Sequence, residues 1–144
     1  MCIFFVILIF MKNESDNQKY IIDPLEEFVK YMKKTIKAKN VNKRDAFYMA
    51  DIPTSYGYKL LLGEKRTKQR DILIRICFVS KFSVNELQEA LKLYEMPILY
   101  KKFLRDKIIL ESFTSTDRDI DIINDNLKNN NLSPLKECGK DNTE

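Results

Sequence analysis

Lys43-Arg44-Asp45-Ala46-Phe47-Tyr48-Met49-Ala50-Asp51-Ile52-Pro53-Thr54-Ser55-Tyr56-Gly57-Tyr58-Lys59-Leu60-Leu61-Leu62, closed by Gly63, decides how this 144-residue chain folds. The stretch reads as two short helices around a tight turn. The first covers 43–50, Asp51-Ile52-Pro53 interrupts it, and the second covers 54–62 with Gly63 as its stop. Ala46, Ala50, Ile52, Leu60 and Leu61 supply an apolar inner face. Thr54, Ser55, Tyr56, Tyr58 and Lys59 are left on or near the outer face of the second helix. The basic run Glu64-Lys65-Arg66-Thr67-Lys68-Gln69-Arg70 follows directly.

Working outward, Asp23-Pro24-Leu25-Glu26 is a helix start: Asp as N-cap, Pro at the first helical position, Glu in the first turn. Leu25, Phe28, Val29, Met32 and Ile36 then recur at helical spacing, and the helix should end near Lys39-Asn40. After the basic run a helix is expected over 69–80, with Ile72, Leu73, Ile76, Cys77 and Val79 inward. Ser83-Val84-Asn85-Glu86 is a capping box opening another, with Leu87, Ala90 and Leu91 inward, ended by Met96-Pro97. A repeat then shows itself at an offset of about 35 to 37 residues. Arg70-Asp71 opens one apolar helix and Arg105-Asp106 opens Ile108-Ile109-Leu110. Pro97-Ile98-Leu99 in the first copy matches Pro134-Leu135 in the second, after a helix holding Ile120, Ile122, Ile123 and Leu127. Two copies imply a duplicated helical hairpin packed against the first bundle.

Three glycines and four prolines, with abundant Leu, Ile, Lys and Glu, favour helices over a turn-rich β architecture. The net charge of +4 hides an asymmetry. Residues 12–81 carry 16 cations and 9 anions, whereas 82–144 carry 9 and 12, which places a polyanion-facing surface on the first half. With no histidine and no C-x-x-C pair among Cys2, Cys77 and Cys138, a Cys/His zinc site and His-based catalysis are excluded. The cysteine pattern suits a reducing cytoplasm, with Cys77 a small core residue. Asp117, Asp119, Asp121 and Asp125 lack the glycine and terminal Glu of a calcium loop and read as an amphipathic helix face. No Gly-rich phosphate loop or nucleophile elbow is present, so no catalytic residue, cofactor or small-molecule ligand is expected.

The apolar opening, 1–10, resembles a signal-peptide core but lacks a basic start and an A-x-A-like site. It is shorter than the roughly 20 residues that span a bilayer as a helix. A misplaced start codon is the preferred explanation, with Met11 as the true beginning. A membrane-tethering or export segment is the alternative.

A helix that reads DNA must enter a major groove about 12 Å wide while a preceding helix lies across the backbone. The reading helix then needs short polar side chains at its N-terminal end. The stretch 43–66, with one helix before it and two after, meets these demands and resembles the lambda-repressor-like (Cro/repressor, XRE-type) helix-turn-helix proteins. The resemblance covers about 24–94. It implies that Lys43 contacts the backbone or a base at the start of the second helix. Thr54, Ser55 and Lys59 would face base edges or phosphates, and Lys65 and Arg66 would meet phosphates. Lys68 and Arg70 would add electrostatic affinity, and Tyr56 and Tyr58 could stack on sugars or contact phosphates. Three positions depart from the family's pattern. The common turn glycine is Asp51, which tolerates a left-handed conformation acceptably. Phe47 stands where a small residue usually makes the tight helix–helix contact, and Gly57 stands where Val or Ile is usual. The last two are read together, as a large side chain filling the space that a missing one leaves.

The chain is thus expected to be all-α: a lead-in over 1–22, a five-helix lambda-repressor-like DNA-binding domain over 23–96, a smaller helical hairpin over 97–135 and a disordered tail over 136–144. The expected role is a cytoplasmic, sequence-specific transcriptional regulator of repressor type. Its partner would be double-stranded DNA, with a homodimer formed through the acidic C-terminal helices and no membrane association. The alternative is a non-enzymatic helical interaction module, or an antitoxin-like adaptor, that binds an acidic protein or RNA.

Overall fold

The computed structural model describes residues 23–139; the expectations placed on 1–22 lie outside them. Among the described residues there are seven helices and no strand. In chain order they are α1 (Pro24–Ala38), α2 (Lys43–Met49), α3 (Thr54–Leu62), α4 (Arg70–Val79), α5 (Val84–Leu93), α6 (Leu104–Ser112) and α7 (Ile120–Asn129). None of them is long and apolar enough to cross a membrane.

The helix limits follow from local chemistry. Asp23 caps α1 by accepting from the Leu25 N–H, and Asn42 caps α2 by accepting from the Asp45 N–H. Ser83 and Glu86 form the reciprocal capping box at α5. Glu86 also pairs with Lys39 at 2.8 Å. Desolvation acts to raise its pKa, but the bonds from Lys39 and Ser83 outweigh it and hold the carboxyl below its ordinary value. Asp119 caps α7 by accepting from the Asp121 N–H, which gives one member of the aspartate series a backbone task.

The helix α4 organises the rest. Sequence periodicity assigned it one inward face, yet every residue from Asp71 to Val79 is buried. It packs against α2, α5 and α7 at once, so Ile74 and Phe78 join the expected core residues. A helix enclosed on all sides has no solvated face to make polar. The apolar core runs without a break from Leu25 on α1 to Leu135 beyond α7, across the 96/97 boundary.

The repeat has a physical counterpart in a reciprocal polar exchange. Arg70 at the start of α4 pairs with Asp106 at 2.9 Å, while Arg105 at the start of α6 pairs with Asp71 at 2.8 Å. Arg70 also donates to the Pro97 and Ile98 carbonyls, as Arg105 does to those of Ser133 and Pro134. The aspartates close the pattern, because Asp106 accepts from the Tyr100 N–H and Asp71 from the Lys136 N–H. Gln88 holds the Leu99 backbone and Asn124 holds the Leu135 N–H at equivalent points. Phe78 and Phe113, also equivalent, meet edge to face at 5.1 Å.

Two arginines absent from the sequence expectations tie the halves together. Arg75 is 3% exposed and donates to the carbonyls of Ala50, Leu135 and Lys136. Arg118 donates to the Phe78, Phe82, Phe113 and Ser115 carbonyls and lies over the Phe78 and Phe113 rings; desolvation lowers its pKa. The stretch from Lys136, expected to fray, is therefore anchored at its start through both its N–H and its carbonyl.

Candidate nucleic-acid interface

The pair α2–α3 is set by a turn and by one close contact. At Asp51 the chain takes φ 61°, a left-handed conformation that Asp adopts more readily than most residues. The Ile52 N–H then returns to the Phe47 carbonyl at 2.9 Å, and Ile52 is buried. One turn into α3, Gly57 faces Phe47. A Cβ built on Gly57 would lie 2.5 Å from Phe47 Cδ1, so the ring occupies the volume that a side chain at 57 would need. The expected exchange of bulk between these positions is what the structure contains. The absence of a side chain at Gly57 fixes how closely α2 and α3 approach.

With Phe47, Gly57, Leu60 and Leu61 facing in, Thr54, Ser55, Lys59 and Leu62 are exposed. Ser55, Lys59 and Leu62 stand at i, i+4 and i+7, on one outward face. The first turn of α3 takes no side-chain cap. Tyr58 is 38% exposed and lies edge to face on Phe47 at 5.0 Å, so its ring is partly committed to the core. Tyr56 is half-buried and its hydroxyl oxygen is buried, which removes that group from any surface contact.

Beyond α3, Gly63 adopts φ 79°, and the Glu64 and Lys65 N–H groups turn back onto the Lys59 carbonyl. Thr67 then fixes the basic loop. It is buried, its N–H donates to the Tyr94 hydroxyl at 2.9 Å, and its hydroxyl accepts from the Gln69 N–H. Arg66 lies 5.6 Å from the centre of the same Tyr94 ring. Lys65, Arg66 and Lys68 are all exposed.

The expected residues divide accordingly. Thr54, Ser55, Lys59, Lys65, Arg66 and Lys68 are open to solvent on α3 and the loop after it, and Lys43 is half-buried at the start of α2. Arg70 departs from expectation: its guanidinium is engaged by Asp106 and by the Pro97 and Ile98 carbonyls, which leaves it a structural tie.

The turn before α3 borders a groove of about 770 Å³ against the start of α7, whose lining includes Tyr48, Thr54, the carboxylates Asp51, Asp119, Asp121 and Glu137, and the buried Arg75. Carboxylates thus flank the N-terminal end of α3 and cations its C-terminal end. Those carboxylates disfavour an anion at the N-terminal N–H groups of α3. The exposed cations Lys59, Lys65 and Lys68 lie at the other end of α3 and on the loop after it.

Of the supporting residues, Arg75 could have been noticed as the lone cation within Ile72-Leu73-Ile74-Arg75-Ile76-Cys77-Phe78-Val79. The Thr67–Tyr94 bond spans 27 residues and left no local signal. No protein-family model matches this chain, and neither a curated protein nor a solved structure matches it.

Proposed function

We propose that the chain binds duplex DNA in a sequence-specific manner, as a transcriptional regulator of the repressor type, with α3 in the major groove. The observation that carries this is the joint exposure of Thr54, Ser55 and Lys59 on α3 with Lys65, Arg66 and Lys68 on the loop fixed behind it. Helices α1 to α5 would form the lambda-repressor-like unit and α6–α7 the following hairpin. In this arrangement Lys59, Lys65, Arg66 and Lys68 supply sequence-independent affinity, and Thr54 and Ser55 help select bases. The alternative, a helical interaction module or antitoxin-like adaptor that binds an acidic protein or RNA, would use the same exposed cations.

The two readings separate on a pair of variants. Lys65→Ala with Arg66→Ala should weaken binding to every duplex and flatten the dependence of log K on log salt by about 2. Ser55→Ala should change preference at one base position and leave the salt slope nearly as it was. Fluorescence anisotropy on labelled duplexes across ionic strength reads both effects. An interaction module would show neither. A homodimer on a palindromic site is part of the same proposal, and sedimentation of the full chain with and without DNA tests it.

A further inference from the structure

The pattern of ion pairs at the starts of α4 and α6 brings together two basic loops, of which the helix-turn-helix reading uses only one. The loop before α4 carries Lys65, Arg66 and Lys68. Shifted by 35 or 36 residues, the loop before α6 carries Lys101 and Lys102 within Tyr100-Lys101-Lys102-Phe103-Leu104. The Arg70–Asp106 pair joins the two loops directly, because Arg70 follows Lys68-Gln69 and Asp106 also accepts from the Tyr100 N–H. Lys68 itself borders one groove with Met96 and Pro97, and another with Arg105, Pro134 and Lys136. The hairpin half of the chain is acidic as a whole, yet 97–110 holds four cations and only Asp106 as a carboxylate. Asp106 is consumed by Arg70 and the Tyr100 N–H, and Arg105 by Asp71. Lys101, Lys102 and Lys107 remain exposed, beside Tyr100 and Phe103, which are each about half exposed. The carboxylates exposed in the adjoining turns are Glu64 and Glu95. Clustered lysines interleaved with exposed aromatics suit a sugar–phosphate backbone: the cations take the phosphates and the rings cover the sugars.

We infer that the 100–104 loop is a second phosphate-contacting element, which extends the DNA footprint from α3 and its basic loop onto the C-terminal hairpin. This rests on the DNA-binding reading above. It extends the polyanion-facing surface, expected on the first half of the chain, into the acidic half, because exposed cations of that half sit in the loop that the Arg70–Asp106 pair ties to the start of α4.

The test uses the full chain and a labelled mixed-sequence duplex of about three helical turns. Lys101→Gln with Lys102→Gln should flatten the salt slope by about 2, so that the loss of affinity is about tenfold greater at low than at physiological salt. Lys101→Arg with Lys102→Arg should keep the wild-type slope, and both variants should keep the wild-type thermal midpoint to within about 2 °C, because the contact that the Gln pair loses, Lys102 over the Phe103 ring at 5.4 Å, is exposed. If the Gln pair binds like wild type while the Lys65/Arg66 pair is weakened, this inference fails and the DNA reading stands. That is also the outcome expected if the loop docks a protein. If wild type binds no duplex at low salt, the DNA reading fails and this inference fails with it.

Discussion

Arg75→Met should lower stability by about 3 kcal/mol, the cost of leaving three buried carbonyls without a donor. For a domain of this size that corresponds to a fall in thermal midpoint on the order of 10 °C. The methionine keeps most of the volume, so the loss reports the hydrogen bonds rather than a cavity. The three carbonyls belong to Ala50, at the end of α2, and to Leu135 and Lys136, beyond α7. One side chain therefore clamps the last described segment against the helix that precedes the α2–α3 turn. Lysine should not rescue, since a single ammonium cannot reproduce the guanidinium fork that reaches three acceptors. Hydrogen exchange should show faster opening of 132–139 before the rest of the molecule. A midpoint within about 2 °C of wild type for Arg75→Met would show that these carbonyls find other donors.

The second large effect concerns Gly57, where the sign is the informative quantity. In an ordinary exposed helix, Gly→Ala stabilises by about 1 kcal/mol. Here a Cβ would overlap the Phe47 ring, so Gly57→Ala should destabilise by about 1–3 kcal/mol through overpacking. Phe47→Ala alone should cost about 3–5 kcal/mol. In the Phe47→Ala background, however, Gly57→Ala should become stabilising, because the space is open and only the helical preference remains. A double-mutant cycle measured by denaturant unfolding gives the coupling directly. Additive effects would mean that the ring moves aside at little cost. The same variant bears on function: Gly57→Ala tilts or displaces α3 relative to α2, so it should reduce duplex binding more than its loss of stability explains.

Much of this was legible because it is local. Asp23, Ser83 with Glu86, Gly63 and Asp51 each act on the backbone within a few residues, and short-range chemistry leaves a pattern in the chain. The limits of α3 and the Phe47–Gly57 complement were equally accessible, since two adjacent helices joined by a short turn have few ways to pack. Arg70 shows where legibility ends. It follows a run of cations and reads like one more of them, yet the carboxylate that claims it stands 36 residues later. The all-round burial of α4 was hidden for a related reason: periodicity reports one neighbour, whereas α4 has three, and the one contributed by α7 comes from the far end of the chain. The carboxylate groove beside Thr54 likewise joins Asp51 to Asp119 and Glu137, and only the folded chain brings those together.

Anisotropy of the full chain on the DNA upstream of its own gene, against a scrambled duplex and across ionic strength, bears most directly on the role assigned to α3. Binding should be tighter to the upstream DNA, and log K should fall linearly with log salt on both duplexes. Lys59→Ala should weaken both. Absence of binding to either duplex at low salt, or binding indifferent to Lys59, Lys65 and Arg66 together, would contradict it.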